Sequence, residues 1–338
     1  MKKVNVSDAV GMALCHDVTA IRDGFKGVAF KRGHVIARED VPLLLDMGKR
    51  TVFVWEENAG EIHEEEAALR MAAMAPVEGA HYTAPSEGKV LLLADRRGMF
   101  RVDRELLCQL NAIGDITIAT LPDHYPVEAG ARLASMRIVP LVTREEQILR
   151  AEALCGGRTL FDLRPYQPKK AGIIITGSEL YTGRREDRFE AIARAKLGRY
   201  PCRVLGVSLC DDSLDMLTQT AGKYLNAGAD LLLFSGGMSV DPDDLTPTAI
   251  RGLGADVVSH GVPAQPGNMT LVAYLGQATI LGVPGAAVSM PTTVLDALLP
   301  QVFTGDPLTK EDLIRLGDGG LCQLCETCRF PNCTFGRY

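Results

Sequence analysis

One succession occurs four times along the second half of the chain: a strand-like, mostly apolar run, a turn rich in glycine, hydroxyl or acidic residues, then a helix-like stretch. Its clearest instance is Leu231-Leu232-Leu233-Phe234, followed by Ser235-Gly236-Gly237-Met238-Ser239-Val240-Asp241-Pro242-Asp243-Asp244 and a helical stretch near Pro247–Leu253. A strand that is apolar on consecutive residues needs cover on both faces, the situation of a parallel sheet between two helix layers. Ala171–Thr176 leads into Gly177-Ser178-Glu179 and a helix over Glu186–Leu197, and Cys202–Val207 into Asp211-Asp212-Ser213 and a helix to about Ala227. Ala278–Gly282 leads into Val283-Pro284-Gly285 and a helix over Val288–Leu299. The expected fold is α/β, a doubly wound parallel sheet with right-handed crossovers spanning residues 169–305.

The preceding sequence is organised differently. Residues 1–60 read as a small α+β segment, with a strand and turn over Lys26–His34, a short helix over Asp40–Gly48 and a strand at Thr51–Trp55. Residues 61–165 read as a β-rich domain with strand-like runs at Lys89–Ala94, Ile116–Thr120 and Arg137–Val142. Helices are expected over Ile62–Met74 and Thr143–Leu154, and Arg164–Pro168 reads as a linker. His63 with Glu64, Glu65 and Glu66 resembles a metal cluster, but neighbouring helical residues do not share a face, which favours a solvated helix start.

A chain of 338 residues accommodates two or three domains, and its net charge of −6 carries no nucleic-acid footprint. The N-terminal residues lack the apolar core of a signal peptide, and no apolar run approaches the ~20 residues of a membrane helix. The expectation is a soluble, cytoplasmic protein without nucleic-acid or membrane partners. Nine cysteines, an odd number, argue against a disulfide framework in that setting. Cys15, Cys108, Cys155, Cys202 and Cys210 read as small buried hydrophobes.

The four turns should lie together at the carboxyl edge of the sheet, where ligands bind in open α/β folds. Thr176, Gly177 and Ser178 offer hydroxyls and backbone donors to an anion, while Glu179 in the same turn demands a cation or a proton beside it. Asp211 and Asp212 precede a helix that Ser213 can cap. Asp241, Asp243 and Asp244 offer oxygen ligands suited to a hard cation such as Mg2+. Each turn alone reads as an ordinary cap; together they read as a shared anion-plus-metal cleft.

Thr176-Gly177-Ser178-Glu179-Leu180, Asp211-Asp212, Ser235-Gly236-Gly237-Met238-Ser239-Val240 with Asp244, Pro266-Gly267, and Pro284-Gly285 through Ser289 follow one another in the order of a known domain. Over about residues 169–303 the chain resembles the molybdopterin-binding domain of the MoeA/gephyrin-type molybdopterin molybdenumtransferases. The resemblance implies binding of molybdopterin or its adenylylated form, insertion of molybdate with Mg2+, and release of AMP. It places Thr176, Gly177, Ser178, Ser235, Gly236, Gly237, Ser239, Pro266, Gly267, Pro284, Gly285 and Ser289 around the cofactor. Asp244, Asp211, Asp212 and Glu179 take the acidic, metal-directed catalytic positions. It also implies a possible homodimer and a molybdoenzyme as a possible recipient.

The sequence departs from that family at several points. Gln265 and Asn268 stand around Pro266-Gly267 where the family has lysines, and Ala286-Ala287 stands where it has Asn-Pro. Asp187 remains of an Asp-x-Asn, and Asp23-Gly24-Phe25 echoes an early Asp-Gly-Tyr-Ala. The lost lysines remove fixed positive charge from an oxyanion site, for which Arg184, Arg185 or Arg188 could compensate. The alternative is therefore a non-catalytic molybdopterin carrier or sensor. A nucleotide pyrophosphatase is a third reading, since related domains occur in such enzymes.

Beyond residue 305 the sequence becomes cysteine-rich (residues 306–338). Cys322, Cys325, Cys328 and Cys333 form C-x2-C-x2-C-x4-C, which lets a short loop present four thiolates to one centre. Structural zinc commonly uses two separated pairs, while closely spaced triplets suit iron–sulfur clusters, so the spacing leans towards an iron–sulfur cluster over zinc. The resembled family has no such tail.

Overall fold

A computed structural model of the chain describes residues 1–22, 25–56, 58–239 and 241–337. Asp23, Gly24 and Val240 of the patterns above lie outside the described residues. The chain divides into two units: Met1–Asp95 with Val102–Leu121 and Ala129–Asp162, and Arg96–Arg101 with Pro122–Glu128 and Leu163–Tyr338.

In the first unit, Lys2–Asn5 pairs antiparallel with Thr51–Val54. Val6, Leu14, Val18, Ile36, Leu44 and Val52 close a small core beneath that pair. A second, four-stranded antiparallel sheet has the order Ala80–Tyr82, Lys89–Ala94, Arg132–Ile138, Ile116–Thr120. Lys89–Ala94 alternates half-buried and buried positions, the pattern of a sheet covered on one face. The first helix of this region begins at Glu64 rather than Ile62, because Glu61–His63 is a strand paired with Val142–Arg144. This pairing also corrects the expectation of a solvated helix start. His63 and Glu64 are buried, and His63 caps the helix: its Nδ1 accepts from the amide of Glu65 at 3.2 Å and its Nε2–H donates to the carbonyl of Cys15 at 2.8 Å.

The second unit contains the doubly wound sheet. Its six strands have the order Cys202–Cys210, Lys169–Thr176, Leu231–Ser235, Ala278–Val283, Leu271–Leu275, Asp256–His260. The first four are parallel, with Ile173 opposite Leu233 and Leu233 opposite Leu281. Successive side chains point to opposite faces, and the two helix layers divide them accordingly. Ile173, Ile175, Leu231, Leu233, Leu281 and Val283 meet Phe189, Leu197, Leu295 and Phe303 on one face. Ile174, Leu232, Phe234 and Ile280 meet Leu217, Ala221 and Ile250 on the other. Continuous apolar runs are thus the signature of a sheet buried twice.

The sheet is not wholly parallel. Leu271–Leu275 runs antiparallel to Ala278–Val283 through the two-residue connection Gly276-Gln277, and Asp256–His260 continues that antiparallel edge. Two apolar runs separated by a glycine-led pair are a hairpin signal, readable but unread in the sequence. The helix expected over Val288–Leu299 is two pieces, Ala286–Ser289 and Val294–Thr304, with Pro291 between them. Proline breaks the first piece and Asp296 starts the second by accepting from the amide of Thr293 at 2.8 Å. Tyr166, expected in a linker, packs edge-on against Tyr200 with ring centroids 5.0 Å apart. Leu308, Leu313, Leu316 and Phe335 are buried in the same core as the sheet's helices, so the C-terminal segment is part of this unit.

Candidate functional site

The parallel strands ending at Thr176, Cys210, Ser235 and Val283 deliver their turns to one edge of the sheet. A cavity of about 720 Å3 opens there, lined among others by Thr176, Gly177, Ser178, Glu179, Asp212, Ser235, Gly236, Gly285 and Ser289. Four sequence-separated turns therefore share one concave surface, large enough for a bicyclic or tricyclic ligand with a phosphate.

Asp212 organises the first turn. Its Oδ1 accepts from the Thr176 hydroxyl at 2.7 Å and its Oδ2 from the Ser178 amide at 2.9 Å. The neighbouring Asp211 accepts from the Asp212 amide at 2.9 Å, and Ser213 caps the helix Leu214–Asn226. Gly177 adopts φ +145°, a conformation that lets the strand turn sharply into Ser178. Gly236 sits at φ +95°, and a Cβ there would lie 2.3 Å from the carbonyl oxygen of Thr176. The first and third turns thus touch backbone to backbone, which only glycine permits.

Thr246 ties down the third turn: its hydroxyl donates to the Gly236 carbonyl at 2.9 Å and its amide to the Gly237 carbonyl at 3.3 Å. Asp244 lies further along, with its carboxylate facing the Asp241 amide at 3.4 Å. Asp244, Asp211, Gly237, Ser239, Pro266, Gly267 and Pro284 do not line the cavity. The Pro266 carbonyl accepts from the Val294 amide at 3.0 Å, anchoring the Pro266-Gly267 turn to the start of the last long helix. Gln265, in a lysine position of the resembled family, exchanges two backbone hydrogen bonds with the C-terminal segment. Its carbonyl accepts from Cys322 at 2.9 Å and its amide donates to Gly320 at 2.7 Å.

Arg185 and Arg188 line the same cavity, whereas Arg184 does not. Arg185 lies 3.6 Å from Glu179, supplying the cation that this acidic turn needs. Asp187, the remnant of an Asp-x-Asn, accepts from the amides of Phe189 and Glu190 at 2.9 Å each and so caps the helix Phe189–Leu197. Sequence reasoning missed Lys196. It is buried, and its Nζ lies 2.6 Å from both Asp296 carboxylate oxygens and 3.0 Å from the Pro291 carbonyl. The partners lie 100 residues apart in the chain, so no local pattern announces the pair.

Among the described residues, no three His, Cys, Asp or Glu side chains are grouped to hold a metal ion. Glu179 and Asp212 are the metal-directed carboxylates named from the sequence that line the cavity wall. No described helix is long and apolar enough to cross a membrane.

Residues 172–304 match a family described as "Probable molybdopterin binding domain", and residues 3–56 match a domain of unknown function. A molybdopterin molybdenumtransferase of Synechococcus elongatus is 26% identical over 172 residues, covering 48% of this chain and 43% of that protein. One from Bacillus subtilis is 30% identical over 121 residues, covering 34% of this chain and 28% of that protein. The matched region is therefore less than half of either relative. The tungsten cofactor synthesizing protein MoaB of Pyrococcus furiosus, 18% identical, aligns with 40% of this chain and 94% of its own at a TM-score of 0.35.

Proposed function

We propose that this chain, whose residues 172–304 match the molybdopterin-binding domain family, binds molybdopterin or its adenylylated form at the sheet edge and inserts molybdate. The observation that carries the reading is the cavity shared by Thr176, Gly177, Ser178, Asp212, Ser235, Gly236, Gly285 and Ser289. Small residues and hydroxyls on the turns would give backbone approach and hydrogen bonds to a phosphate, and the cavity's volume of about 720 Å3 accommodates a pterin.

In this reading Asp212 holds Thr176 and Ser178 in position, so the anion meets preorganised donors. Arg185 and Arg188 add positive charge on the cavity wall, replacing in part the charge absent at Gln265 and Asn268. Glu179 and Asp212 would hold Mg2+, which supplies charge neutralisation at phosphoryl and molybdate oxygens. Asp211 and Asp244, beyond the cavity wall, support the turns that carry these groups. Of the cofactor-binding residues named from the sequence, Thr176, Gly177, Ser178, Ser235, Gly236, Gly285 and Ser289 would meet the ligand, while Gly237, Ser239, Pro266, Gly267 and Pro284, which do not line the cavity, would shape the turns. The remaining assignments are a cytoplasmic protein, a homodimer, a recipient molybdoenzyme and a metal-binding tail of iron–sulfur or zinc type.

Protein loaded with adenylylated molybdopterin should release AMP when given molybdate and Mg2+. Pterin binding without AMP release instead assigns the carrier or sensor reading, which the uncharged Gln265 and Asn268 favour. Absence of pterin binding removes both.

A further inference from the structure

The four C-terminal cysteines line a single cavity, Cys322 half-buried and the other three exposed. Cys322, Cys325, Cys328 and Cys333 all line a space of about 300 Å3 with apolar walls that include Met290, Pro291, Phe330 and Phe335. All four cysteines are free thiols. The space is several times the ~30 Å3 share of a water molecule, and a lone metal ion would leave most of it empty.

Zinc with four thiolates draws every sulfur to about 2.3 Å from one point. A four-iron, four-sulfide cluster makes a different demand: its thiolates bind at four separate corners of a bulky core. We propose that Cys322, Cys325, Cys328 and Cys333 hold such an iron–sulfur cluster in this cavity. The assignment sharpens the metal-binding tail of the proposed function and does not depend on pterin chemistry.

Further features prepare the cavity. The Thr292 hydroxyl lies 3.0 Å from the Cys328 sulfur, a contact of the kind that tunes a cluster's potential. The near end of the loop is fixed by the paired backbone hydrogen bonds between Gln265 and the stretch Gly320–Cys322. Its far end is fixed by Arg337, whose guanidinium lies 4.2 Å from the Tyr125 ring centroid and donates to the Pro331 carbonyl at 2.9 Å. Phe335, 2% exposed, seals the floor. An irregular loop held at both ends over an apolar pocket spares a cluster much of the ordering cost that a free tail would impose.

The full chain, purified without oxygen, tests the assignment by iron, acid-labile sulfide and zinc analysis with ultraviolet–visible and electron paramagnetic resonance spectra. The expected result is about four iron and four sulfide per chain. Cys328→Ser should lose at least half of that iron, while Cys108→Ser in the first unit should retain it all. Thr292→Val should keep the iron and shift the reduction potential. Stoichiometric zinc without sulfide overturns the cluster but keeps a metal tail; protein free of metal after anaerobic reconstitution with iron and sulfide overturns both. Pterin content, read on the same sample, separates failure of the cluster from failure of the pterin reading.

Discussion

The hydroxyl of Thr176 donates to Oδ1 of Asp212 at 2.7 Å, and the amide of Ser178 donates to the other oxygen of the same carboxylate at 2.9 Å. One side chain thus sets the geometry of the turn proposed to face the phosphate. Asp212→Ala leaves both donors without this acceptor, a loss on the order of 1–3 kcal/mol. Molybdopterin affinity should fall about tenfold or more, measured by fluorescence titration. Asp244→Ala, altered outside the cavity wall, should weaken binding less. A larger effect at Asp244 contradicts this ordering.

Arg185 and Arg188 bring positive charge to a cavity that also carries Glu179, Glu186 and Asp187. Replacing both arginines with glutamine should raise the dissociation constant for an anionic pterin about tenfold, or ~1.4 kcal/mol. It should also flatten the dependence of binding on salt concentration, since screening acts on the charges removed. An unchanged salt dependence places the anion elsewhere.

Lys196 and Asp296 form a buried ion pair with side chains 5% and 3% exposed. Lys196→Met leaves the Asp296 carboxylate without its counter-charge, at a cost of roughly 3–5 kcal/mol. Urea unfolding of this unit should show that loss. The double variant Lys196→Met with Asp296→Leu should recover a substantial part of it, because no isolated charge remains buried.

His63 gives the first unit a pH signature. Burial pushes its pKa below the ordinary value, so the folded unit keeps it neutral while the unfolded chain protonates near pH 6.5. The unfolded state then binds more protons, and stability must fall as pH drops below about 6.5. The slope from this residue approaches ~1.4 kcal/mol per pH unit until the folded-state pKa is reached. Thermal melts of His63→Gln between pH 5 and 8 should show a shallower acid slope than the parent protein.

Legibility in the sequence tracked how local the determining interaction is. Leu231–Phe234 and Ile173–Ile175 announce strands buried on both faces because burial on both faces leaves no polar alternation. The turns that follow them were readable for the same reason, and nine of the residues named in advance line one cavity. Asp256–His260 was not readable: as an edge strand it is only half covered, so its pattern is weak. Lys196 with Asp296, and Gln265 with Cys322, join positions far apart in the chain and have no local signature. Glycine carried a mixed message. Gly236 is required by the Thr176 backbone beside it, a packing demand that looks identical in sequence to a ligand-binding one.

Gly285, Val288 and Ser289 line the sheet-edge cavity, and the next three residues, Met290, Pro291 and Thr292, line the cysteine cavity. A single short strap is therefore a wall of two chambers, and Lys196 grips it at the Pro291 carbonyl, on the cysteine-cavity side. Occupancy of either chamber that moves the strap changes the free energy of filling the other. Thermodynamic linkage makes any such influence mutual and equal in size. Whatever factor a filled cysteine cavity applies to ligand affinity at the sheet edge, the ligand applies to the affinity of that cavity for its own occupant, so the equilibrium metal affinity of the cysteine cavity, measured with and without pterin, reads the communication along Gly285–Thr292.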